Sequence, residues 1–136
     1  MAFPVPEVPA GDGVPGRILI VFSGATDLRW LKALKPSFRH CYAVLESAGG
    51  WLLVDPASHQ TRIEYLGPMP LYRLLEGLQT AETTVVCCRR RAAPMRLAPI
   101  RPFTCVEAVK RLIGIHAPWT LTPWQLFDHL IDLNKI

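Results

Sequence analysis

The chain has 136 residues, of which 50% are hydrophobic and 19% charged. That length and balance belong to one globular domain, and they exclude both a disordered chain and two domains with separate cores. The net charge is +4, with the basic residues gathered at Arg89, Arg90, Arg91, Arg96 and Arg101. No aromatic residue is interleaved with these arginines and no helix carries a basic stripe, so they read as a solvated strand end and loop, and no nucleic acid is expected as a partner.

No apolar run approaches the roughly 18 residues that cross a bilayer, so no membrane span is expected. The start, Met1 to Glu7, lacks a basic region followed by an apolar one, which makes cytoplasmic the expected localisation. The four cysteines, Cys41, Cys87, Cys88 and Cys105, form no Cys-x-x-Cys pair. A disulfide framework or structural zinc is therefore not expected, and without an export signal the thiols are expected to stay reduced. A metal site drawn from His40, Cys41, His59, Cys87 and Cys88 has poor ligand spacing, so the reading is metal-free and without cofactor.

Taken in order, residues 1–16 hold Pro4, Pro6, Pro9 and Pro15 and read as an extended arm, because each proline fixes φ and removes a ladder donor. Residues 17–136 read as a single domain with no internal repeat and no dividing linker. Arg17 to Ser23 is a β-branched run closed by Gly24, a buried strand. Thr26 or Asp27 caps a helix through Leu28, Trp30, Leu31 and Leu34, which Pro36 ends. Phe38 to Glu46 is the next strand, with Phe38, His40, Tyr42 and Val44 on one face and Cys41, Ala43 and Leu45 on the other. Both faces are largely apolar, so this strand is central. Ser47 to Gly50 is a turn and Trp51 to Asp55 its returning arm.

Thr61 to Leu66 reads as a further strand, Leu71 to Leu78 as a short helix, and Thr83 to Arg89 as a strand rich in β-branched residues. Residues 91–102 form a loop. Thr104-Cys105-Val106-Glu107 fits the capping box, in which hydroxyl and carboxylate satisfy orphan amides reciprocally, and its helix runs to Gly114. Thr122-Pro123-Trp124-Gln125 repeats the device with proline at the first helical position.

The capping box sets Cys105 at the first residue of its helix, where macrodipole and unpaired amides favour a thiolate. The Cys105 amide is the candidate donor to an oxyanion. Free cysteines are also common as small buried hydrophobes, so position alone does not make Cys105 a nucleophile. His40, in a strand among apolar neighbours, is the candidate base. If the turn at 47–50 sets Glu46 opposite Trp51, Tyr42 faces Asp55 and Asp55 lies diagonally from His40 on the same face. A carboxylate there can hold the imidazole, the third role in a Cys-His-Asp arrangement. Asp55-Pro56 is also ordinary turn chemistry, His59 is a rival orienting group, and His116 a rival base. Cys41 points to the opposite face from His40.

The order of histidine strand, hairpin polar residue and cysteine helix resembles the permuted branch of the NlpC-type papain-like superfamily, in which the histidine strand precedes the nucleophile helix. Phe38 to Leu45 is similar to its histidine strand, Gly50 to Pro56 to its partner strand, and Phe103 to Lys110 to its (N/T)-C-V-x-x-V-K helix. Pro118 to Leu126 resembles the tail of small members from bacterial and prophage genomes. The family's third residue is often His, Asn, Gln or Glu, where this chain offers Asp55.

The resemblance implies an α+β papain-like fold with a central antiparallel sheet packed against the nucleophile helix. It also implies a cysteine hydrolase or acyltransferase with Cys105, His40 and Asp55 as catalytic residues and a peptide-like, peptidoglycan or lipid acyl substrate. The alternative is a binding or assembly module that keeps the fold without turnover and meets a protein partner through its Pro-rich arm and tryptophans Trp30, Trp51, Trp119 and Trp124.

Overall fold

In a computed structural model, residues 16–24, 38–47, 49–57, 60–90 and 104–134 are described. Among them lie five strands and three helices: β1 (Arg17–Ser23), β2 (His40–Ser47), β3 (Gly50–Pro56), β4 (Thr61–Gly67), α1 (Leu71–Leu78), β5 (Thr83–Arg89), α2 (Cys105–Ile113) and α3 (Pro123–Asn134). The domain is α+β. Its sheet runs β4-β3-β2-β1-β5, every neighbouring pair antiparallel. The residues of the expected N-terminal arm up to position 15, the expected helix at 28–34 with its caps, and the loop at 91–102 lie outside the described residues.

Hydrophobic alternation decides which side each strand residue faces. In β1 the side chains of Ile18, Ile20 and Phe22 join one core and those of Leu19 and Val21 the other, all fully buried. The first core holds Cys41, Ala43 and Leu45 of β2 against α2 and α3. The second holds Val44, Trp51 and Leu53 beneath α1, whose Leu74 is its buried anchor. A sheet covered on both faces needs apolar residues at odd and even positions alike, which is why β1 and β2 read as continuous apolar runs. β2 sits in the middle of the five strands.

The tight link between β2 and β3 works as its composition demands. Ser47 pairs with Gly50 and Glu46 with Trp51, and Gly49 takes a φ of 81°, the left-handed region that favours glycine. At Gly50 a Cβ would press on the exposed Tyr65 ring of β4 and push it aside. Arg17 fastens the start of β1 to the end of β2 through Nε and Nη2 to the Glu46 carboxylate at 3.0 and 2.9 Å. The same guanidinium lies 5.5 Å from the Trp51 ring centroid.

Two expectations change. The strand begins at His40, not Phe38, and Phe38 packs on the α2/α3 side rather than sharing a face with Tyr42. Its ring meets Phe22, Trp124 and Phe127 at 4.8 to 5.6 Å, and that aromatic cluster outweighs strand alternation. The tryptophans also divide: Trp51 is buried with its Nε1 donating to Met69 O at 2.9 Å, Trp124 is half-buried, and Trp119 is 82% exposed. Trp30 lies outside the described residues. No described helix is long and apolar enough to cross a membrane.

Candidate active site

α2 starts as its sequence dictates. Thr104 is the N-cap in extended conformation, and its hydroxyl accepts from the Glu107 amide at 3.3 Å. Gly114 closes the helix in the left-handed conformation, φ 87°. The reciprocal half of the expected capping box is absent. The Glu107 carboxylate turns instead to Lys110 Nζ at 2.6 Å, one turn along. Lys110 is 4% exposed, and its ammonium also donates to Ala117 O and Thr120 O, each at 2.9 Å. A buried ammonium needs its charge balanced and its donors met; Glu107 balances the charge and the two carbonyls take two of the donors. The chain leaving α2 is thereby tied back onto it.

Buried Val106, Val109 and Ile113 hold α2 against the sheet, each contributing about 1.5–3 kcal/mol of burial. Cys105, half-buried at the first position of the helix, packs against the same core. The cap occupies the Glu107 amide, which leaves the Cys105 and Val106 amides without intrahelical acceptors and available to an oxyanion.

β2 brings the rest. His40 opens the strand opposite Ser23, and its Nε2 lies 2.6 Å from Asp55 Oδ1 on β3. The register makes this contact: Ala43 pairs with Val54, so Asp55 is diagonal to His40. A carboxylate only accepts, so Nε2 carries the hydrogen and Nδ1 is the nitrogen left for Cys105. Both side chains are about a quarter exposed, 22% for His40 and 27% for Asp55. The Tyr42 ring follows His40 on the strand, centroids 6.3 Å apart.

The site is strongly polarised. At Cys105 the largest influence is a hydrogen bond from the Cys41 thiol; burial opposes it, and bonds from His40 and from the Cys41 amide, with the imidazolium charge, bring the thiol down to about 5. At His40 burial favours the neutral ring, but hydrogen bonds to Cys105 and Asp55 and their negative charges prevail and raise it to about 9. Cys105 and His40 therefore exist as a thiolate–imidazolium pair near neutral pH. Cys41, fully buried, is pushed well above the ordinary thiol range, first by burial and then by the neighbouring Cys105, so it stays a donor.

The structure thus brings Cys105, His40 and Asp55 together. His116 is exposed beyond α2 and enters none of these contacts, and His59 lies outside the described residues. The residue that the sequence did not offer is Cys41. Its alternation away from His40 suggested that the two could not easily share a metal ion, yet both act on Cys105, since α2 packs on β2. Its one sequence signal was a thiol next to His40 on the helix-covered face. Comparison with protein-family models, curated proteins and solved structures gives no match to this chain.

Proposed function

We propose that the protein is a thiol hydrolase or acyltransferase of the permuted NlpC-type papain-like kind, acting on an amide or ester bond. The observation that carries this reading is His40 Nε2 held by Asp55 at 2.6 Å beside a Cys105 at the capped start of α2, whose thiol Cys41 and His40 help to bring down to about 5. The order of the parts, histidine strand before cysteine helix, supports the permuted assignment, and the peptide-like or lipid acyl substrate rests on that resemblance.

The chemistry follows from the pair. The Cys105 thiolate attacks the substrate carbonyl carbon, and the Cys105 and Val106 amides receive the developing oxyanion. The His40 imidazolium gives its Nδ1 proton to the leaving amine or alcohol as the tetrahedral adduct collapses to a thioester. His40, now neutral, takes a proton from water or from an acceptor alcohol, which attacks the thioester, and Cys105 leaves as thiolate. Asp55 keeps the ring oriented and its charged form favoured throughout. No metal or cofactor has a role in this scheme.

The test pairs alkylation with turnover in wild type and His40→Ala. Iodoacetamide needs only the thiolate, so labelling of Cys105 should rise with a midpoint near 5 and stay high above it. Hydrolysis of a 4-nitrophenyl ester needs the imidazolium as well, so it should form a bell between about 5 and about 9. His40→Ala should cost about 10²–10⁴-fold in turnover. If Cys105 labels no faster than Cys87 or Cys88 near pH 6, the reading fails and the domain is a binding or assembly module.

A further inference from the structure

Cys41 is a buried thiol that the hydrolytic scheme uses only as a hydrogen-bond donor, yet its chemistry reaches further. Its side chain is fully buried in the core against which Cys105 packs, between β2 and α2, and hydrogen bonding from Cys41 is the largest influence on the Cys105 thiol. The other two cysteines are placed differently. Cys88 shares the α2 side of the sheet but lies on β5 opposite Ile18, four positions along β1 from Phe22, the residue paired with Cys41. Cys87 faces the α1 side of the sheet. Cys41 is thus the thiol that both shares the core of Cys105 and acts on its sulfur.

We propose that Cys105 and Cys41 form a peroxide-sensitive pair, in which Cys105 is oxidised first and Cys41 closes on it as an intramolecular disulfide that reversibly silences the site. The inference rests on the reading of Cys105 as an activated thiolate. The oxidant is hydrogen peroxide or an organic hydroperoxide. The Cys105 sulfur attacks one peroxide oxygen and the O–O bond breaks. With hydrogen peroxide the departing hydroxide takes the His40 proton and leaves as water, and Cys105 becomes a sulfenic acid. The Cys41 sulfur then attacks that of Cys105, the S–O bond breaks, and the hydroxyl leaves with the Cys41 proton as a second water. Two electrons leave the thiol pair and reduce one peroxide.

The two sulfurs divide these roles by environment. Cys41 is protonated while Cys105 is negative, so it neither competes for peroxide nor ionises prematurely. Once Cys105 is a neutral sulfenic acid, the charge that helped to hold the proton on Cys41 is gone and only burial and Asp55 remain against it. The resolving thiol is thus released by the step that creates its target. A further consequence is protection, because a sulfenic acid with an adjacent thiol is captured before a second peroxide carries it to the irreversible sulfinic acid.

The experiment exposes the full chain to a small excess of hydrogen peroxide, then maps disulfides by mass spectrometry without reduction and counts iodoacetamide-reactive Cys105 before and after dithiothreitol. Wild type should give a Cys41–Cys105 linked peptide and lose labelling by about tenfold, with nearly full recovery on reduction. Cys41→Ser, which keeps a hydroxyl donor beside the thiolate, should give no such peptide and a Cys105 carrying two or three added oxygens, with roughly a tenth of the labelling recovered. Wild-type Cys105 that over-oxidises without linkage, joins Cys87 or Cys88, or withstands peroxide overturns the proposal. Failure of the hydrolase reading looks different: linkage without ester turnover sinks only the hydrolase, whereas an untreated Cys105 that does not label near pH 6 removes the thiolate on which both depend.

Discussion

The starts of α2 and α3 carry the same local device and have different consequences. In α3 the box is complete: Thr122 Oγ1 accepts from the Gln125 amide at 3.3 Å, and Gln125 Oε1 accepts from the amides of Thr122 and Leu121 at 3.1 and 2.9 Å. In α2 the cap bond is the same 3.3 Å, but the acidic residue is diverted to Lys110, and the first helical position is Cys105 where α3 has Pro123. A helix N-terminus thus supplies a general preference for negative charge, and both helices have it. What sets the start of α2 apart is the strand beneath it. The largest single influence on Cys105 is Cys41 of β2, with His40 beside it, and neither belongs to the helix.

That comparison can be broken in its strongest part first. Lys110→Met leaves the Glu107 carboxylate and two carbonyls without their buried cation, and should lower stability by about 3–5 kcal/mol in urea titration. The double variant Glu107→Gln with Lys110→Met gives α2 the polar cap of α3 and should recover part of that loss; an equal or greater loss would show that Lys110 acts through packing rather than charge.

A smaller effect isolates the strand. Asp55→Asn removes a carboxylate that raises His40, so the His40 value falls from about 9 and the alkaline limb of the ester-hydrolysis bell moves to lower pH. The acid limb, set by Cys105, should move less, because the bonds from Cys41 remain. Turnover at pH 7 should fall by roughly 10- to 100-fold. An unmoved alkaline limb would remove Asp55 from the orienting role.

The smallest effect sharpens the contrast between the helices. Thr104→Ala and Thr122→Ala should each cost about 1 kcal/mol of stability, the ordinary worth of a cap. Only Thr104→Ala should slow Cys105 alkylation at pH 6, since only that helix start carries a cysteine. Equal kinetics in the two variants would mean that the cap does not contribute to the site.

Much of this was legible in the residues. The strands β1 and β5, the helix α1 and the start of both later helices follow from β-branched runs, short helical spacing and Thr-x-x-Glu/Gln caps, all of which are local preferences. The pairing of Glu46 with Trp51 followed from a four-residue turn, and with it the diagonal approach of Asp55 to His40. Less local features were not legible. Phe38 left the strand for an aromatic cluster built from β1 and α3, and Glu107 left its cap for a lysine that is buried only because residues 117–120 fold back over α2.

By itself the sequence determined most of the described elements, the hairpin register and the presence of Cys105 at a helix start, because these depend on neighbours within a few positions. Only the tertiary structure decided that α2 ends its approach against the first residues of β2. That placement lets one sulfur receive His40 and Cys41 together, although they alternate to opposite sides of their strand. The physical reason is that hydrogen bonding to a thiolate depends on distances of a few ångströms between segments more than 60 residues apart in the chain, and no local propensity encodes where a helix will dock.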